Sequence, residues 1–222
     1  MGHDTGFGGC IEIVPPLNPH EVEYLDRFAE TRHDHRSTGP YSVYRGDASA
    51  DEIVGGGRAQ PELPGHWCRW VPTAAGGGLI WDQEENFHDA EKWLAYLIDT
   101  FLKPGATIRA ESANPVEGRF YPAAFEHFTC DHVLNGVIEA VGEGEDDLWR
   151  IEVRDSVVFV IRMAVPPDPA GIDPRAPNEW TTVERAEFED RTRRDHVFVV
   201  ANGETNDLGP AERSGFAPVE RS

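Results

Sequence analysis

Apolar residues first gather at positions 10–14, Cys10-Ile11-Glu12-Ile13-Val14, with enough alternation to predict a strand that Pro15-Pro16 ends. Asn18-Pro19-His20-Glu21 then reads as a helix start: Asn18 can cap, Pro19 suits the first helical position, and Glu21 lies three after the cap. Val22, Leu25, Phe28 and Ala29 follow at helical spacing, so an amphipathic helix is predicted to about Thr31. Residues 32–64 lose all periodicity and predict a long loop, with a brief strand at 41–44. A hairpin follows, residues 66–71 and 79–82 around the turn Gly76-Gly77-Gly78. The longest helix should then open at Glu85 or Asn86, with Phe87, Ala90, Leu94, Leu97, Ile98 and Phe101 as its core stripe and Lys103-Pro104-Gly105 as its stop. Residues 105–131 are irregular. Three strands are predicted next, at 133–140, 148–153 and 157–161, as an antiparallel meander. A Pro-rich linker at 164–179 leads to a last hairpin within 180–205, its strands at 180–188 and 196–200, and residues 206–222 read as a disordered tail.

The order β-α-ββ-α-βββ predicts an α+β fold: an antiparallel meander with two helices packed on one face, plus the extra C-terminal hairpin. Residues 1–163 would form one domain with long loops at 32–64 and 105–131. Six Trp and eleven Phe are enough to build a core of rings, while 22 Gly and 17 Pro fit the long loops. No window holds the roughly 18 apolar residues that a membrane helix needs. Met1-Gly2-His3-Asp4 carries neither the basic segment nor the apolar run of an export signal, and Cys10, Cys68 and Cys130 are odd in number and far apart. Both features predict a cytoplasmic chain with reduced thiols and no membrane contact. The net charge of −20 is spread evenly along the sequence. Direct binding to nucleic acid is not expected, because no basic stripe is present to displace counterions from phosphates. The plain meaning of the charge is a solvated surface, and the sharper one is imitation of DNA toward a nucleic-acid-binding protein.

Two stretches carry a resemblance. One is Trp81-Asp82-x-x-Glu85-x-Phe87 continuing into Trp93-Leu94-x-Tyr96-Leu97-Ile98. The other is Val133-Leu134-Asn135-Gly136-x-Ile138, then Gly142-Glu143 and Asp147-x-Trp149-Arg150-Ile151-x-Val153-x-Asp155. With Gly65-x-Trp67-Cys68-x-Trp70-Val71-Pro72, the chain resembles an uncharacterised family of small acidic proteins of actinobacteria and their phages. The resemblance covers about half the chain and implies a fold and an origin. It implies no chemistry.

Two sets of residues are candidates for a site. His66-x-Cys68 and Cys130-x-His132, if both pairs lie in strands, each point two side chains to one face, and together they would make the two-Cys, two-His set that zinc favours. The plainer reading makes Cys68 a small core residue and the histidines edge residues, with no cofactor. His33-Asp34-His35 reads as a polar loop. Around the hairpin, Trp67, Trp70 and Trp81 with Asp82 and Glu85 could form a binding platform. Trp67 and Trp70 are an odd number apart, so one of them should point away from the core. The acids there also suit a helix N-terminus for its dipole alone. There is no Gly-x-Ser-x-Gly elbow and no phosphate-cradling Gly-Lys-Ser/Thr loop. The expectation is a non-catalytic acidic binding or regulatory protein of bacterial or phage origin that engages a protein partner. The alternatives are a DNA mimic, and a small-molecule binder or enzyme with its pocket near the Trp81–Glu85 corner.

Overall fold

The computed structural model describes residues 5–44, 53–54, 56–85, 87–142, 148–162, 179–185, 195–211 and 215–217. In chain order it runs β1 (Gly6–Val14), α1 (Pro19–Glu30), β2 (Trp70–Pro72), β3 (Gly78–Trp81) and α2 (Ala90–Leu97). A π-helical turn (Ile98–Leu102), α3 (Thr107–Ala113) and a 3-10 helix (Ala123–His127) follow, then β4 (Val133–Val141), β5 (Leu148–Arg154), β6 (Val157–Arg162), β7 (His196–Ala201) and β8 (Glu204–Pro210). The protein is α+β, and the eight strands among the described residues form a single sheet of order β2-β3-β1-β4-β5-β6-β7-β8, every neighbour antiparallel. Among the described residues no helix is long and apolar enough to cross a membrane.

The centre of the sheet is the β1–β4 ladder, whose register runs from Gly6 opposite Val141 to Val14 opposite Val133. Strand alternation sends Phe7, Ile11 and Ile13 of β1, and Leu134, Ile138 and Ala140 of β4, into the core. There they form one cluster with Tyr24, Leu25 and Phe28 of α1 and Trp93, Leu94 and Leu97 of α2. The strands approach closely because the inward face carries glycine at two positions. A Cβ on Gly9 (φ 125°) would lie 2.4 Å from the Val137 carbonyl oxygen, and one on Gly136 (φ 149°) 2.6 Å from that of Cys10.

Helix α1 starts where its sequence signal places it. The Asn18 side chain accepts from the His20 and Glu21 amides, and Glu21 accepts from the Asn18 amide in return, which completes a capping box. The second helix begins later than its apolar pattern implies. Residues 82–85 and 87–89 are not helical, and Asp89 precedes α2 in a left-handed conformation. The reason is Phe87, whose ring is packed edge-on between Phe7 and Trp70 and draws this segment into the core ahead of the helix. The stripe residues Ala90, Leu94, Leu97, Ile98 and Phe101 are all buried, and Trp93 is buried with them.

The C-terminal hairpin also differs from expectation. Its strands are β7 and β8, joined through Asn202-Gly203, and β7 pairs with β6, so the hairpin extends the main sheet. Residues 182–185 are helical where a strand was expected, and residues 206–210 belong to β8 where a tail was expected. The expected linker lies almost wholly outside the described residues. In the long loop after α1, residues 41–44 form no strand. Isolated bridges instead join Asp34 to Ala59 and Arg36 to Ile53.

Candidate functional site

The structure does not bring the four metal candidates together. Cys130 has φ 48° and precedes β4, so Cys130-x-His132 lacks the strand alternation that would aim both side chains at one ligand. His66 likewise precedes β2, and its Nε2 lies 3.1 Å from the Gly57 carbonyl oxygen. Cys68 is fully buried, where burial pushes its thiol pKa up to about 12. Among the described residues no three His, Cys, Asp or Glu side chains are grouped to hold a metal ion. His33 is buried against Phe28 with its Nε2 on that residue's carbonyl, and burial drives its pKa down to about 3, leaving a neutral ring.

The tryptophan corner is tied up internally. Trp70 is completely buried and donates from Nε1 to the Ala90 carbonyl at 2.8 Å. Trp81 packs edge-on against Phe7 and donates to the Glu84 carbonyl. Asp82 accepts from the Glu84 amide at 2.9 Å and pairs with Arg69 at 3.4 Å, while Glu85 is exposed. Trp67 is half-buried with the Arg69 guanidinium 4.8 Å above its ring. Of the pair Trp67 and Trp70, Trp67 is therefore the one outside the core.

His132 has a different partner from the one its sequence spacing suggested. Glu21, at the first turn of α1, and His132, just before β4, are 0% and 1% exposed. His132 Nδ1 lies 2.7 Å from the Pro15 carbonyl oxygen and Nε2 3.2 Å from Glu21 Oε1. Nε2 also lies 3.0 Å from the Thr129 hydroxyl, which gives its own proton to Glu21. With that hydroxyl, the Pro15 carbonyl and the Glu21 carboxylate all accepting, the network is satisfied by an imidazolium and a carboxylate. The same Oε1 accepts from the Thr129 amide at 2.7 Å and hydroxyl at 3.0 Å, and Oε2 accepts from the Asn18 amide at 2.8 Å. Burial by itself would lower the His132 pKa, but the bonds to Glu21 and Pro15 outweigh it and hold it above the usual value. Burial would raise the Glu21 pKa, and the bonds from His132, Thr129 and Asn18 lower it instead. With these polar atoms committed to neighbours in the chain, the network anchors residues 129–132 to the start of α1.

Above that anchor lies the region the sequence pattern left irregular. The 3-10 helix forms a ridge between two clefts. A cleft of about 550 Å³ separates it from α3 and is lined by Ile108, Arg109, Tyr121, Phe125, Phe128 and Cys130 among others. A second, of about 280 Å³, separates it from α1 and includes His20, Glu23, Tyr24, Arg27 and Phe120. The imidazoles of His20 and His127 stack beside the ridge, 4.0 Å apart. Cys130 is 5% exposed, and burial raises its thiol pKa despite the nearby Arg109.

The approach to the ridge is clamped. Glu111 of α3 accepts from Tyr41 Oη at 3.0 Å, Tyr121 Oη at 3.1 Å and Arg119 Nη1 at 2.6 Å. The other Arg119 terminal nitrogen donates to Glu62 at 2.6 Å. The Phe120 amide donates to the Thr38 carbonyl, and the Val116 amide to Tyr121 Oη. These bonds fix residues 116–121 yet leave the Phe120 side chain 50% exposed and Val116 44% exposed. Sequence reasoning missed this site because it has no hydrophobic period. Its only advance signal is the cluster of Glu111, Arg119 and Tyr121 within a Pro- and Gly-broken stretch. No family model, curated protein or solved structure matches this chain.

Proposed function

We propose that this chain is a non-catalytic acidic binding protein, of bacterial or phage origin, that engages a protein partner across the ridge between the two clefts. The observation that carries this reading is Phe120: a large apolar side chain, half exposed, on a segment that four side-chain hydrogen bonds hold in place. Ordering a loop in this way costs conformational entropy, and a surface aromatic fixed in advance binds without meeting that cost again. Clefts on either side give a partner places to seat its own apolar side chains, the arrangement found at the centres of protein interfaces. The charge of −20 adds long-range attraction for a basic partner and speeds encounter.

The test is capture from a lysate of the source organism with the tagged chain and with Phe120→Asp, at low and moderate salt. One enriched protein is expected, lost with the variant and weakened as salt rises. Its full retention by Phe120→Asp would overturn the ridge as the contact. A nucleic-acid enzyme as the captured protein would turn the reading toward DNA mimicry.

A further inference from the structure

The outer face of the sheet, opposite the aromatic core, is divided in two. Over β5, β6 and β7 the chain covers it with its own C-terminal residues: Ala211 and Phe216 pack with Ile161 and Val197, and Phe159 lies against them. Arg154 sits 3.8 Å over the Phe216 ring, and Arg150 donates to the Ala217 carbonyl at 2.6 Å. The half carried by β1 and β4 is open. In register, its rows are Val14 with Val133, Glu12 with Asn135, Cys10 with Val137, Gly8 with Glu139, and Gly6 with Val141. Val14 and Val141 are more than half exposed, and Val133 and Val137 each 39%. A Cβ on Gly8 would meet nothing within 4 Å and one on Gly6 only the Val141 carbonyl, so the β1 side of this face is a shallow trough beside the valines of β4.

The charge on the β1–β4 rows is acidic; Arg150 of β5, in register with Glu139, is engaged by the Ala217 carbonyl and Glu152. Glu12 and Glu139 are exposed and make no ion pair among the described residues, and the outward positions of β1, β3 and β4 contain no Lys or Arg. The acid nearest Val137 on the next strand, Glu152, is already paired with Arg154 and Arg150. The open face is thus three apolar rows with an unpaired carboxylate in each gap between them. A second copy would set Glu12 and Glu139 against their own kind, which is unfavourable. A sheet face, unlike a sheet edge, offers no backbone hydrogen bonds, so an occupant must satisfy its own backbone, as a helix does.

We propose that the open β1–β4 face docks a cationic amphipathic helix of a partner protein, apolar side chains on the valine rows and Lys or Arg on Glu12 and Glu139. The two carboxylates are about 13 Å apart along the strands at ~3.4 Å per residue. Basic residues seven apart on a helix lie on one face about two turns and ~10.5 Å apart at ~1.5 Å rise, and their flexible side chains cover the remaining ~3 Å. This surface is separate from the ridge and stands whether or not Phe120 binds anything.

The probe is a labelled leucine–lysine amphipathic helix, with its leucine–glutamate counterpart as control, titrated by fluorescence anisotropy. The lysine helix is expected to bind, and the Glu12→Lys/Glu139→Lys variant to weaken it tenfold or more. Glu30→Lys/Glu204→Lys, with the same change in net charge elsewhere, should shift it less than threefold. Val137→Asp should also weaken it, with circular dichroism reporting that each variant is folded. The bound helix should slow alkylation of Cys10, the exposed thiol, and Phe120→Ala should leave the affinity unchanged. Equal loss in both double variants, binding of the glutamate helix, or no binding at all would overturn the proposal. So would a dimer in sedimentation that Val137→Asp dissolves, which would make a second copy the occupant.

Discussion

Replacing Glu21 by Ala removes a side chain that no surface measurement would notice, yet its oxygens accept from His132, from both Thr129 donors and from the Asn18 amide. The substitution would leave the His132 imidazolium and the Thr129 amide without their acceptor in a site closed to water. Removing one partner of a buried pair costs about 3–5 kcal/mol, and half a capping box about 1 kcal/mol, although the two are not additive in one network. A loss of about 4 kcal/mol is therefore expected in urea unfolding followed by tryptophan fluorescence near pH 6. The pH dependence has a definite sign. The His132 pKa is raised by folding, so its contribution is complete below the unfolded value of ~6.5 and disappears as pH rises through the folded value. The Glu21 pKa is lowered, so its contribution is present above ~4.3 and is lost as pH falls through the folded value. The gap between wild type and Glu21→Ala should thus be widest between about pH 5 and 6.5 and narrow in alkali. A cost under about 1 kcal/mol, or a gap that widens with pH, would refute the charged-pair assignment.

The close approach of β1 and β4 predicts opposite outcomes for neighbouring glycines. Gly9→Ala, forced toward the Val137 carbonyl at positive φ, should cost about 2 kcal/mol or more in thermal unfolding, while Gly8→Ala, facing open space, should cost under about 1 kcal/mol. Arg119→Ala would leave Glu111 and Glu62 without their guanidinium, so residues 116–121 should exchange amide hydrogens faster and be cut sooner by protease, at a global cost of about 1–3 kcal/mol. Unchanged exchange in that segment would show that the clamp does not hold the ridge.

The fold was legible wherever one local rule decided the outcome. Asn18-Pro19-His20-Glu21 is a helix start in sequence and forms a full capping box in the structure, because every bond it needs lies within four residues. The strands at 133–141, 148–154 and 157–162 were legible for the same reason: their alternation is local, and so is the Asp155-Ser156 turn between the last two. The start of α2 was not, because Phe87 fits the helical period and is withdrawn from the helix by rings far away in sequence. Glycines hid the first half of β1, since Gly6, Gly8 and Gly9 supply no apolar alternation, and Gly9 serves close contact with a strand some 130 residues later. Periodicity reports which side of an element is buried. It cannot report the partner that buries it.

The candidate site shows the same limit in its chemistry. His132 and Cys130 stood out by residue type and spacing, and the structure gives the histidine to Glu21, 111 residues away, and the cysteine to a cleft wall. Neither partner can be read from a two-residue spacing. The ridge depends on contacts of the same long range: Glu111 is satisfied by Tyr41 from before the hairpin, and Arg119 reaches back to Glu62. A loop assembled in this way carries no pattern of its own, because its order is supplied by residues scattered through the chain. That is also why it can hold Phe120 in water at a fixed position. A segment rigid by its own periodicity would have turned its largest ring inward, as α1 does with Phe28 and the α2 stripe does with Phe101.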